Sequence, residues 1–260
     1  LRAVSVTRYV MPFREGDSLP ALVEADDDGL YVVKLRGAAQ GPKALVAELL
    51  GGELARALGL SVPEIVRVDV DAALARAEPD PEISEILERS VGENLALDFL
   101  PGSAAFDAVA GPSPDATTAS RTVLFDAFAL NVDRTPRNTN LLVWHDRIHL
   151  IDHGAAFYFH HGWGPGDRLA FSDDPFAEVK DHVLLPFASR LDDAADHLAR
   201  VFTDELFGAV VDAVPASLFG GPGGGDADEL RAAYRAWLRA RVAALPAITE
   251  EAERARAMRV

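Results

Sequence analysis

Cysteine is missing from all 260 residues, which excludes disulfides, thiolate nucleophiles and zinc sites built on thiolate ligands. No apolar run approaches the roughly 18 residues of a membrane span, so no transmembrane segment is expected. A cleavable leader is not expected either, because Arg8, Arg14, Glu15 and Asp17 interrupt any apolar stretch near the start. Near the first strands there is no Gly-x-Gly-x-x-Gly. The glycine-rich 220–225 segment is not followed by Lys-Ser or Lys-Thr, so it is no Walker loop. Basic residues are also scarce, 25 against 41 acidic ones, giving a formal net charge of −16. That field opposes DNA, RNA and anionic lipid. It also implies that any bound polyphosphate arrives with a divalent metal. These absences describe a soluble, cytoplasmic protein with no direct nucleic-acid partner and no membrane span.

What is present is a large apolar fraction, 49% of residues, enough to bury a sizeable core in one two-lobed domain or two small ones. Segments 4–10, 21–25 and 30–35 are rich in strand formers, and Asp26-Asp27-Asp28-Gly29 is a turn signal between the last two. Pro42 opens a helix that Gly59 stops. Strands follow at 65–70 and 95–100, so the first hundred residues read as strands around a single helix. After Gly102 the character changes: 118–130 reads as a strongly apolar helix, 141–144 and 148–151 as a hairpin, and 192–207 and 227–245 as helices. The expected fold class is α+β, with a β-rich small lobe (1–98), a hinge (99–102) and a mainly helical large lobe (103–260).

Segment 131–153 carries the chemistry. It reads Asn-Val-Asp-Arg-Thr-Pro-Arg-Asn-Thr-Asn, then the hairpin, then Ile-Asp-His-Gly. Asp133 precedes Asn138 by five residues, and Asp152 stands where the hairpin returns the chain to the edge it left. Phosphoryl transfer needs a carboxylate facing the acceptor hydroxyl, and an amide oxygen and second carboxylate on the magnesium ions of ATP. Asp133 fits the first role, an effect of roughly 10²–10⁴-fold. Asn138 and Asp152 fit the metal-binding roles. Asn140 suits a loop-holding role through its side chain.

Lys34, on the strand Tyr-Val-Val-Lys-Leu-Arg, is placed to reach the phosphates of ATP while pairing with a helix glutamate. Glu48 and Glu53 are the candidates. Glu48 is favoured because it shares a helix face with Leu45 and Gly52. Gly16 and Ser18, with Gln40 and Gly41, are candidate phosphate-covering groups. The histidines at 145, 149, 153, 160 and 161 raise a zinc alternative, but His149 and His153 lie on a strand and lack the helical His-Glu-x-x-His context. His153 is expected to pack behind Asp152.

These residues resemble the HipA-like branch of the protein-kinase-like superfamily, related to the phosphoinositide 3- and 4-kinases. The matching pieces are Val-Val-Lys34, Ala-Glu48-Leu through Leu-Gly59-Leu-Ser-Val-Pro63, Asp133-Arg134 with Asn138, and Ile-Asp152-His-Gly-Ala-Ala-Phe-Tyr-Phe-His-His161. The likeness spans about 4–161. It implies Mg-ATP bound between two lobes, with Asp98, Phe99 and Leu100 pairing with adenine, and a protein serine or threonine as acceptor. His153 replaces the phenylalanine familiar from protein kinases, and Asn131 stands where they carry a histidine. Other acceptors stay open (a sugar, lipid headgroup or nucleoside), as does transfer of AMP. A catalytically silent nucleotide-binding scaffold is the alternative from another class, with the missing glycine loop in its favour and the intact Asp133, Asn138 and Asp152 against it.

Overall fold

Asp26-Asp27-Asp28-Gly29 reverses the chain as its composition implies. Asp28 sits at φ 62°, and the Gly29 amide donates to Asp27 Oδ1 at 3.0 Å. The turn joins β2 (Ala21–Ala25) to β3 (Leu30–Lys34). With β1 (Ala3–Pro12), β4 (Ile65–Val70) and β5 (Gly92–Asp98) they form a closed barrel in the order β1-β2-β3-β5-β4. The coordinates are a computed structural model that describes residues 1–13, 20–38, 41–111, 113–163, 167–219 and 226–259. Closure comes from a parallel pairing of β1 with β4, Ala3 opposite Arg67. Alternation decides what lies inside: Tyr31 and Val33 of β3 are buried with Val4, Val23, Val66, Val68 and Ala96. Lys34, one position on, leaves the sheet on the opposite side.

Helix α1 (Gly41–Ala57) is buried on nearly every face from Leu45 to Ala55. It ends where Gly59 turns at φ 78°, the positive φ that a glycine accepts without strain. Its apolar residues belong to a second buried cluster shared with the helices that follow, including Leu49, Leu50, Leu54, Phe125 and Phe128.

The expectation of a single helix in the first hundred residues fails. Helices α2 (Ala72–Ala77) and α3 (Pro81–Arg89) stand between β4 and β5. Each is opened by an aspartate: Asp71 accepts from the Ala73 amide, and Asp80 accepts from the Glu82 amide. Asp80-Pro81 is a start signal, a proline at the first helical position after an aspartate cap.

Beyond β5, a two-residue strand β6 (Ala104–Ala105) pairs with β7 (Leu141–Trp144), which pairs with β8 (Arg147–Leu150). His145 and Asp146 join β7 to β8 with φ of 47° and 60°, the two left-handed residues of a tight hairpin turn. Helix α4 (Ala116–Ala129) precedes them, capped by Asp115. The helix expected at 192–207 is two: α5 (Leu191–Val201) and α6 (Asp204–Asp212), broken at Phe202 and restarted by Thr203, whose hydroxyl accepts from the Leu206 amide. After a short α7 (Ala216–Phe219), α8 runs from Ala227 to Ala257, straight through Pro246 and twelve residues past the expected end at 245. The 220–225 connector lies outside the described residues.

Candidate active site

Lys34 is the meeting point of three elements. Its Nζ lies 2.6 Å from Glu48 Oε2 on α1 and 2.5 Å from Asp152 Oδ1 beyond β8. Glu48 is fully buried, while the Asp152 side chain is 40% exposed. Burial alone would push the Lys34 ammonium down, but the two carboxylates outweigh it and the net direction is up. Burial would likewise raise Glu48; Lys34 and the hydrogen bond from His153 overcome it and hold the carboxyl down to about 2. Glu48 Oε2 also accepts from the His153 amide at 2.8 Å. Glu53, the other candidate partner, pairs with Arg56 at 3.4 Å.

Asp152 gets its direction from the backbone, not from strand alternation. Strand alternation would put Asp152 on one face with Ile148 and Leu150, but that pattern ends at Leu150, because Asp152 adopts φ 55°. His153 behind it is fully buried, edge-on to Phe125. Gly51 of α1 leaves the space: a Cβ there would lie 2.7 Å from the His153 Cβ.

In the loop after α4, Asp133 Oδ2 accepts from Asn138 Nδ2 at 2.8 Å and from Asn140 Nδ2 at 3.1 Å. The Asn140 carbonyl accepts from the Ile151 amide at 3.1 Å, tying this loop to the strand end that presents Asp152. Asn140 therefore holds the loop, in the role its type suggests. The arrangement offers a cation held between two acids and, on a separate bonded loop, a third acid braced by two carboxamides.

A family model described as HipA-like kinase matches residues 6–162. The chain belongs to the HipA-like kinase family. No curated protein sequence matches it. Among solved structures, it is similar to that of a proinflammatory kinase of Helicobacter pylori, CtkA. The likeness has a TM-score of 0.57 at 11% identity and covers 100% of this chain and 99% of that one.

The largest part of the site that the sequence did not reveal lies beneath the Asp133 loop of this HipA-like kinase. Asp126 of α4 is fully buried and accepts from Asn131 Nδ2 at 2.9 Å, Arg134 Nε at 2.5 Å and His182 Nε2 at 3.0 Å. His182 Nδ1 accepts from the Leu184 amide at 3.0 Å, which leaves the proton on Nε2. Burial would raise the Asp126 carboxyl, but Arg134 and His182 reverse that and hold it well below the carboxylate range. Arg134 also donates to the carbonyls of Asn140 and Ile151. A single buried acid thus connects α4, the Asp133 loop, the end of β8 and the 182–184 turn. An aspartate in the run Leu-Phe-Asp-Ala-Phe was the available signal, since a charge amid buried apolar neighbours demands partners.

Among the described residues no three His, Asp or Glu side chains gather into a metal cage. The histidines serve other ends: His160 Nδ1 lies 2.7 Å from the Tyr234 hydroxyl, and His149 packs against Trp144. Asp152 carries a carboxylate and Asn138 an amide oxygen, donors of the kind magnesium prefers. Of the other predicted nucleotide-binding residues, Asp98 and Phe99 have engaged amides, donating to the carbonyls of Glu64 and Leu30 at 2.9 Å each. That narrows their possible part in adenine recognition to carbonyls. Gly16, Ser18 and Gln40 lie outside the described residues.

Proposed function

We propose that this chain transfers the γ-phosphoryl group of Mg-ATP to a hydroxyl of a protein serine or threonine. The observation carrying this reading is the double engagement of Lys34 by Glu48 and Asp152, at 2.6 and 2.5 Å. A lysine–glutamate ion pair beside a metal-binding aspartate is what a kinase must assemble before transfer. In this reading the barrel with α1 is the small lobe (1–98), 99–102 the hinge and 103–260 the large lobe, with the nucleotide between them. The Leu100 amide and the Asp98 carbonyl pair with adenine.

Lys34 exchanges its bond to Asp152 for the phosphates, with Glu48 keeping the ammonium aimed. Asp133 takes the proton of the acceptor hydroxyl as that oxygen attacks the γ-phosphorus, and the bond to the β–γ bridging oxygen breaks to release ADP. Asn140 and Asn138 hold the Asp133 carboxylate in line. Asp152 and Asn138 would hold magnesium, which would neutralise charge on the phosphate oxygens when bound. The net charge of −16 favours a protein acceptor over an anionic lipid headgroup and speaks against a nucleic-acid partner.

The test is transfer of labelled γ-phosphate to a panel of serine- and threonine-containing proteins, with and without magnesium. Wild type should label an acceptor or itself only with magnesium, and Asp133→Asn should lose about 10²–10⁴-fold in rate. Equal labelling by Asp133→Asn and wild type would refute the assignment.

A further inference from the structure

Outside the site, cationic side chains gather where α4 and α5 pack together. A pocket of about 290 Å³ there is lined by Thr117, Arg121, Arg190, Asp193, Asp196, His197 and Arg200 among others. Three guanidiniums and a histidine in one recess are notable in a chain with 41 acidic and 25 basic residues. Two carboxylates share it, and their partners decide the balance. Asp193 is held by Arg190 at 2.8 Å, which neutralises that pair. Among the described residues, Arg121 and Arg200 have no carboxylate within salt-bridge distance, and Asp196 has no cation. Arg121 and His197 instead both donate to the Leu58 carbonyl, at 3.3 and 3.2 Å, just past the end of α1.

We propose that this pocket is a binding site for a compact oxyanion of the phosphate class, separate from the Lys34 cleft. Guanidinium forks suit tetrahedral oxyanions and grip them with paired donors. Arg200 is exposed and supplies the adjustable arm, while Arg190, paired with Asp193, keeps guanidinium donors beyond those it spends on Asp193 and Thr117. Arg121 is half-buried and fixed by Leu58, with donors beyond the one it spends there. Thr117 adds a hydroxyl, already placed 3.3 Å from Arg190 Nη1. The volume falls at the small end of the roughly 300–1,000 Å³ typical of ligand sites, which suits a single phosphate-bearing group and not a nucleotide. Free phosphate and a phosphorylated side chain share this chemistry, and the probes below separate them.

Inorganic phosphate and O-phosphoserine are titrated into the full chain at constant ionic strength, against chloride, with thermal unfolding and backbone-amide NMR shifts as readouts. Wild type should be stabilised and shift amides at 117–121 and 190–200; tighter binding of O-phosphoserine would identify a modified protein as the source. Arg190→Ala/Arg200→Ala, and Arg200→Glu alone, should weaken the apparent affinity at least tenfold. Lys34→Met/Glu48→Gln, compared with itself in chloride, should bind as wild type does. Equal binding by the arginine variants, or loss of binding only in the Lys34 variant, would overturn the proposal.

Discussion

Lys34 is 11% exposed and sits between one buried and one half-exposed carboxylate. The two acids differ in what they lose if the cation goes. Lys34→Met leaves Glu48 charged and fully buried with only His153 beside it, a change that costs about 3–5 kcal/mol when one partner of a buried pair is removed. Lys34→Met/Glu48→Gln should recover most of that stability in urea unfolding while recovering none of the phosphoryl transfer. If the double variant were as unstable as the single one, the Glu48 charge would not be the cause. These residues were legible because strand alternation places Lys34 and helical periodicity selects Glu48 over Glu53. The spacing of Asp133 and Asn138 within one loop was equally readable. Asp126 and His182 were not, because their bond joins positions 56 residues apart and no local pattern predicts such a partner.

At the scale of elements, α1 ties the site to the core. Gly51 lets the His153 side chain pack against α1, and an added Cβ would lie 2.7 Å from that of His153. Gly51→Ala should therefore destabilise the fold by about 1–3 kcal/mol through overpacking. It should also weaken nucleotide binding, because the shift is transmitted to Glu48, one turn earlier. Thermal melting and a nucleotide titration check both, and an unchanged affinity would show that α1 and the site are not mechanically joined. Most elements were visible in the sequence as period and punctuation: the 26–29 turn, the Pro42 start and Gly59 stop of α1, and the β7–β8 hairpin. The failures came where a single residue has two meanings. Pro81, a helix breaker elsewhere, begins α3, Phe202 and Thr203 interrupt the 192–207 pattern with a new cap, and Pro246 is tolerated inside α8.

Over the whole molecule, charge and burial set the response to pH. Burial pushes His160 and His182 below 6.5, so the unfolded chain binds their protons first and stability falls as pH drops below that value. Glu48 and Asp126 are depressed below 4.5 and 3.8; their contribution is complete above those values and is lost as pH falls toward about 2, the Glu48 value. Relief of self-repulsion in a chain of net charge −16 works the other way, so the comparison with Glu48→Gln isolates the effect. Urea unfolding from pH 7.5 to 3 should show a shallower acid limb for Glu48→Gln than for wild type, and parallel limbs would contradict the assignment. Charge and composition were readable at this scale, whereas the closed barrel, which needs β1 beside β4, was not. The most direct test of the central claim is a crystal structure with magnesium and a non-hydrolysable ATP analogue. Lys34 should leave Asp152 for the phosphates while keeping Glu48, with the metal on Asp152 and Asn138. A nucleotide bound elsewhere, or a Lys34–Asp152 pair still closed beside it, would contradict the account.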